Sequence, residues 1–183
     1  AGLWAIASVV YGIVGQHIPP LRLNFLKGIV AIALLIFTIL LTGESLPTSA
    51  PQSILLLCLS GVIGISWGDT AFLGAINYLG ARRVLLLGTL APPITAIAAM
   101  IWLQETLNIW AWCGIFITIL GVAWVVTERV PGSSDDSPAH LWRGIGLGLL
   151  AAIANAIGTV ISRVAFTTGS MTSLWAALLR LGA

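Results

Sequence analysis

The chain has 183 residues, of which 58% are hydrophobic and 8% are charged, and its formal net charge is +2. Soluble domains carry roughly 25% charged residues, so this chain has too few polar side chains to cover a water-soluble globule. Its basic residues form no cluster beyond Arg82–Arg83, which argues against a nucleic-acid partner.

Long apolar stretches follow one another along the whole chain. A membrane-spanning helix needs about 20 predominantly apolar residues. The predicted spans cover residues 1–15, 21–41, 53–78, 84–103, 109–127 and 141–167, with a seventh from residue 171 onward. The predicted fold class is therefore all-α, a polytopic bundle of transmembrane helices. Because the sequence starts and stops inside apolar stretches, we expect a fragment of a longer protein.

The fourth predicted span contains two adjacent prolines, Pro92 and Pro93. Proline removes a backbone donor and clashes with the preceding helical turn. In a bilayer such a break persists only where protein or a water-filled cavity covers the freed carbonyl groups. We therefore predict a helix bent at Pro92–Pro93, with the bend facing protein. Two interpretations stay open: a kink that only shapes packing, or the interrupted helix of a transport site.

A single polar linker divides the chain. It covers residues 129–140 and separates five spans in residues 1–128 from two in residues 141–183. Leu3–Ser8 reads Leu-Trp-Ala-Ile-Ala-Ser, and Leu150–Asn155 reads Leu-Ala-Ala-Ile-Ala-Asn. Lys27 and Arg180 occupy comparable early positions in the second helix of each part. Since five spans is an odd number, a second copy would insert from the opposite side, which predicts an inverted repeat.

Ionisable residues inside the spans are the first candidates for function, because they are costly in a membrane. They are Lys27, Asp69 and Arg180. At the helical rise, Lys27 lies roughly 9 Å and Asp69 roughly 13 Å from the same membrane face. The lysine stem can bridge that difference, so an ion pair is expected if the two spans are neighbours. Such a pair would either fix helix register or act as a substrate or proton-coupling site.

Polar and aromatic side chains supply further candidates for a solute site near mid-membrane. They are Trp4, Ser8, Tyr11, Trp67, Thr95, Asn155 and Thr159. The alternative for each hydroxyl or amide is an interhelical hydrogen bond, worth about 0.6 kcal/mol. Small residues recur every fourth position at Ser60, Gly64 and Gly68, and again at Gly144, Gly148 and Ala152. We interpret these two ladders as helix-packing surfaces.

Several of these motifs occur in a familiar order. They are Gly68-Asp69-Thr70-Ala71-Phe72, Ala75 through Arg83, Leu90-Ala91-Pro92-Pro93, Leu103-Gln104-Glu105 and the glycines from Gly114 to Gly121. The chain resembles the EamA family of the drug/metabolite transporter superfamily. The resemblance implies ten helices in two inverted repeats around a central cavity. It also implies export of an amino acid, metabolite or drug, powered by an ion or potential gradient. Lys27 departs from the arginine usual at that position, which Arg180 retains.

Two criteria for orientation in the membrane disagree. The turns after the first, third and fifth spans carry Arg22, Arg82, Arg83, Arg129 and Arg143, whereas the opposite side carries Arg163. The positive-inside rule puts the arginine-rich side in the cytoplasm. The arrangement usual in the family is the reverse, and we favour it. The expected location is the bacterial cytoplasmic membrane.

Function classes can be ranked from these features. Enzyme chemistry is poorly served, since the two histidines, His17 and His140, lie in turns and no spacing suits a metal or a nucleophile. No cofactor is predicted. We expect a secondary transporter whose partners are the lipid bilayer, a small-molecule solute and a coupling proton or other ion. The alternative is a non-transporting membrane scaffold or lipid-handling protein.

Overall fold

A computed structural model describes residues 2–15, 17–44, 51–104, 106–127, 138–168 and 171–183, and their regular structure is helical. The α-helices are α1 (Gly2–Val14), α2 (Pro20–Thr42), α3 (Pro51–Gly61), α4 (Gly68–Gly88), α5 (Ala91–Trp102), α6 (Ile109–Thr127), α7 (Pro138–Thr168) and α8 (Ser173–Gly182). A π-helical segment, Val62–Trp67, joins α3 to α4. The all-α prediction is confirmed. Most of the predicted linker lies outside the described residues.

Three of the described helices are long and apolar enough to cross a membrane: Pro20–Thr42, Pro51–Gly88 and Ala139–Thr167. The second has 38 residues, which if straight would measure roughly 57 Å, nearly twice the hydrocarbon thickness. Gly80 resolves this mismatch, because its φ of 76° and ψ of 160° are not helical and turn the chain. The turn predicted over residues 79–83 is thus a single-residue break at a glycine, which tolerates positive φ.

The fourth predicted span is interrupted in the structure. Helix α4 ends at Gly88, two turn residues follow, and α5 starts at Ala91 with the prolines in its first turn. Proline is tolerated there because the first residues of a helix have no intrahelical acceptor to bond. Pro93 is buried and Pro92 is exposed. The break therefore lies immediately before Pro92–Pro93, with one proline packed inside the protein.

Close contacts between small residues hold α7 against its neighbours. A Cβ added to Gly158 would meet the Gly64 Cα and the Ser60 carbonyl oxygen at 3.0 Å. One added to Gly148 would lie 2.6 Å from Leu87 Cδ1. Helices associate in lipid through such close approach. The packing interpretation of the two small-residue ladders is confirmed, although Gly68 and Gly148 also line a cavity.

Contacts also fix the directions of the helices. Gly15, just after α1, lies against Asn77, and Gly144, near the start of α7, lies against Tyr78. Thus α1 ends at the level where α7 begins. Similarly, Thr172, just before α8, donates a 2.7 Å hydrogen bond to Glu44, just after α2. The two pairs α1/α7 and α2/α8 each run in opposite directions.

Candidate functional site

Asp69 is the second residue of α4, and one residue, Gly68, separates it from the π-helical segment. The Gly68 N–H donates to the carbonyl of Ile63, five residues back, which is the π-helical pattern. The additional residue rotates everything after it by about 100° relative to a continuous α-helix. Such bulges occur frequently at functional sites. Here the bulge sets the direction in which the Asp69 side chain leaves the helix.

Asn24 of α2 binds the π-helical segment from the side. Its Nδ2 donates to the carbonyls of Ile65 (3.1 Å) and Ser66 (3.3 Å) and to Thr70 Oγ1 (3.0 Å). Widened helical turns weaken backbone pairing, and a side-chain donor compensates. The sequence analysis did not single out Asn24. Asn24 could have been recognised from the sequence as an amide within an apolar span. It lies three residues before Lys27 and therefore on the same side of the helix.

Lys27 and Asp69 form an ion pair, with Lys27 Nζ bonded to Asp69 Oδ2. The side chains are 21% and 22% exposed within the protein. Residues 27 and 69 come from α2 and α4, so the pair ties two spans together at one depth. The structure thus brings together the two residues that the depth estimate placed within reach.

Arg180 of α8 approaches the same carboxylate from another direction. Its guanidinium is close enough to attract Asp69 electrostatically. A Cβ added to Gly64 would lie 3.6 Å from Arg180 Nη2, so the guanidinium rests on the π-helical segment. Among the described residues, the buried Nε of Arg180 has no hydrogen-bond partner. Asp69 is therefore paired with Lys27 and attracted by a second basic residue, Arg180.

A cavity of about 580 Å³ adjoins Asp69. Its walls come from α4, α5, α7 and the break between α4 and α5. The lining residues are Gly68, Asp69, Phe72, Leu85, Gly88, Thr89, Ala91, Pro92, Gly148, Ala151, Ala152 and Asn155. This volume lies within the range of small-molecule sites, roughly 300–1,000 Å³. Apolar walls with a few polar groups are also typical of such sites.

A second cavity continues the first between α5 and α7. The two share Ala91, Pro92 and Asn155 as lining residues. The second adds Thr95, Thr159 and, at its far end, Arg163. Asn155, Thr159 and Arg163 are spaced by four residues, so they follow one stripe of α7. The term "binding cavity" is used below for these two connected spaces.

The remaining candidates lie elsewhere. Ser8 is buried in α1, and Tyr11 packs against the cluster around Leu23 and Ile76. Trp67 is 70% exposed and lines a separate apolar groove beside Pro20. Trp4 belongs to α1, but its side chain lies outside the described part of the protein. None of these three described residues is among those lining the binding cavity.

Comparison with known proteins identifies the family. The model of the EamA-like transporter family matches residues 1–127. The chain belongs to the EamA-like transporter family. Neither the curated proteins nor the solved structures gave a match. The family assignment, together with the long apolar helices, makes this an integral membrane protein of the drug/metabolite transporter type. The binding cavity is thus a cavity within a transporter.

Proposed function

We propose that this chain forms the solute-binding part of a secondary transporter, which exports a small solute by alternating access. The observation that carries the proposal is the Lys27–Asp69 ion pair beside a cavity at an interrupted helix. Intramembrane charges mark substrate or proton pathways in transporters. Broken helices expose backbone groups near the middle of the membrane, where transporters bind their solutes.

An inverted repeat relating residues 1–128 to residues 141–183 is part of this proposal. The opposite directions of α1/α7 and of α2/α8 support it. Lys27 lies seven residues after Pro20 at the start of α2, and Arg180 lies seven residues after Ser173 at the start of α8. Equivalent positions in the two parts would then place their basic groups on either side of Asp69.

Asp69 is the proposed coupling group. A carboxylate that alternates between a lysine and a proton can link solute movement to a proton gradient, because only one cation binds at a time. Lys27 holds the carboxylate when neither proton nor solute does. The bacterial cytoplasmic membrane, which maintains a proton gradient, is the proposed location.

Transport by the full-length protein in proteoliposomes tests this function. A panel of labelled amino acids and small amines is offered under an imposed pH gradient and, separately, under exchange conditions. We expect Asp69→Asn to abolish gradient-driven transport while exchange of labelled for unlabelled solute persists. Gradient-driven transport at the normal rate by a stable Asp69→Asn protein would contradict the coupling role. Absence of flux for every solute tested would contradict the transport function.

A further inference from the structure

The hydroxyl groups that line the binding cavity donate their hydrogen atoms to the backbone. Thr89 Oγ1 donates to the Leu86 carbonyl (2.6 Å), and Thr95 Oγ1 donates to the Ala91 carbonyl (2.8 Å). Thr159 Oγ1 donates to the Asn155 carbonyl (2.8 Å). A hydroxyl has one donor and two acceptor lone pairs. These three side chains therefore offer the cavity acceptors and no donor.

The interrupted helix adds backbone acceptors. In a continuous helix the carbonyls of Gly88 and Thr89 would receive bonds from residues 92 and 93, which are prolines and have no N–H. Gly88 lines the cavity and has no side chain, so its contribution to the wall is backbone. The C-terminal end of a helix also carries a partial negative charge. At the start of α5, two of the backbone N–H donors that a helix N-terminus normally exposes are absent, because residues 92 and 93 are prolines.

The Asp69 carboxylate also lines this wall and is paired with Lys27. Lys27 contacts its Oδ2, and an incoming cation would take the place of that lysine. The donors among the described lining side chains are the amide of Asn155 and, in the second cavity, the guanidinium of Arg163. Arg163 lies eight residues from Asn155 along α7, roughly 12 Å at the helical rise. Apart from the Asn155 amide, the described side chains that line the first cavity are therefore acceptors or apolar.

We propose that the binding cavity takes a solute with a protonated amine head group and an apolar body. The ammonium group would replace Lys27 at the Asp69 carboxylate and bond the acceptors that line the cavity, and the body would lie against Phe72, Leu85 and the alanines of α7. Lys27 already shows that the carboxylate accepts an ammonium group. This inference rests on the proposed function, because it names the solute class of that site.

Binding to the purified full-length protein tests the inference without requiring transport. The probes are hexylammonium, hexanoate and hexanol, which share one apolar chain and differ in head group. Ligand-induced shifts of the thermal unfolding midpoint give apparent Kd values. We expect hexylammonium to raise the midpoint in a saturable manner and the other two to have no saturable effect. Stabilisation by hexanoate equal to or greater than that by hexylammonium would overturn the inference.

Variants localise the binding. Charge-assisted hydrogen bonds are stronger than neutral ones, so Asp69→Asn should weaken hexylammonium binding by about tenfold or more. Thr89→Val removes an acceptor but keeps the Asp69 charge, and it should weaken hexylammonium binding several-fold. This variant tests the inference even if Asp69→Asn fails to fold. Thr118→Val is the matched control, since the Thr118 hydroxyl also bonds one turn back, to Gly114, but lies on α6. Unchanged affinity in both cavity variants would overturn the inference.

The outcomes separate this inference from the transport function. If hexylammonium binds in an Asp69-dependent manner but no solute is transported, the transport function is contradicted and the amine site is supported. Conversely, the protein could transport other solutes while hexylammonium neither binds to it nor inhibits that flux. This result would support the transport function and contradict the amine site.

Discussion

Two neighbouring regions of the bundle use opposite means to shape the space between helices. In the closed region, made by Ser60, Gly61, Gly64 and Gly158, missing side chains let backbones touch. In the binding cavity, missing backbone donors at Pro92 and Pro93 open a helix and leave about 580 Å³ beside it. Asn155 and Gly158, one from each region, are less than one helical turn apart.

The difference separates stability from function within the same helices. Backbones in the closed region are so close that a methyl group added at Gly61 would force backbone atoms to move. The binding cavity has open volume, and the proposed amine site depends on which of its atoms are acceptors. The ion pair of Lys27 and Asp69 lies at the border between the two regions and should serve both.

The largest effect is expected at that border. Lys27→Met or Asp69→Asn alone should lower the free energy of unfolding by about 3 kcal/mol, because each leaves a partner charged and unpaired in a low-dielectric site. The double variant should recover most of this loss, since replacing both members of such a pair is often nearly neutral. Chemical unfolding of the full-length protein in detergent measures all three. A double variant whose loss equals the sum of the two single losses would show that the residues do not interact.

The closed region should respond next most strongly. A Cβ at Gly61 would lie 2.0 Å from the carbonyl oxygen of Arg180. Gly61→Ala should therefore displace α8 and cost about 2 kcal/mol. Gly121→Ala on α6 is the matched control, because nothing lies within 4 Å of its added methyl group. It should be neutral or slightly stabilising. Equal stability of the two variants, measured by thermal unfolding, would contradict the claim that the closed region is more tightly packed than the surface of α6.

The support of the π-helical segment by Asn24 gives an intermediate effect. Asn24→Ala removes the donor shared by two carbonyls and a hydroxyl, and should cost about 1–2 kcal/mol. It should also weaken solute binding, since only Gly68 separates Asp69 from the segment. Thr38→Ala on the same helix removes an exposed hydroxyl that bonds only Leu34 and should change neither property. If Asn24→Ala leaves both unfolding and binding unchanged, the segment does not depend on this contact.

Much of this arrangement could be read from residue types and spacing. Apolar length predicted helices, three of which are long and apolar enough to cross a membrane. The double proline predicted the break, and the depths of residues 27 and 69 predicted their pairing. The π-helical segment could not be predicted, because no residue type encodes it. It forms where tertiary contacts, here the Asn24 amide and the packing of Gly64 against Gly158, favour a widened turn over regular pairing.

The cavity residues illustrate the same limit. Thr95, Asn155 and Thr159 were recognised as polar residues within spans, and the structure gathers them around one space. Ser8 and Tyr11 looked equivalent in sequence but pack inside the bundle. Which side of a helix faces a cavity depends on its rotation against its neighbours. Periodicity cannot give that rotation when nearly every position is apolar.

The smallest effect on stability is expected inside the binding cavity, where the effect on function should be clear. Thr159 is exposed in the cavity, and its hydroxyl bonds the Asn155 carbonyl one turn back. Thr159→Val keeps the shape and removes the hydroxyl, with its exposed bond to the Asn155 carbonyl and its acceptor lone pairs, so the free energy of unfolding should change by less than about 0.5 kcal/mol. We expect solute flux in proteoliposomes to fall several-fold, because a solute that passes along this stripe would lose one acceptor. Thr167→Val is the matched control on the same helix, since its hydroxyl bonds Val164 and lies outside the lining residues. Loss of flux in both variants, or in neither, would contradict a specific role in solute transport for the stripe from Asn155 to Arg163.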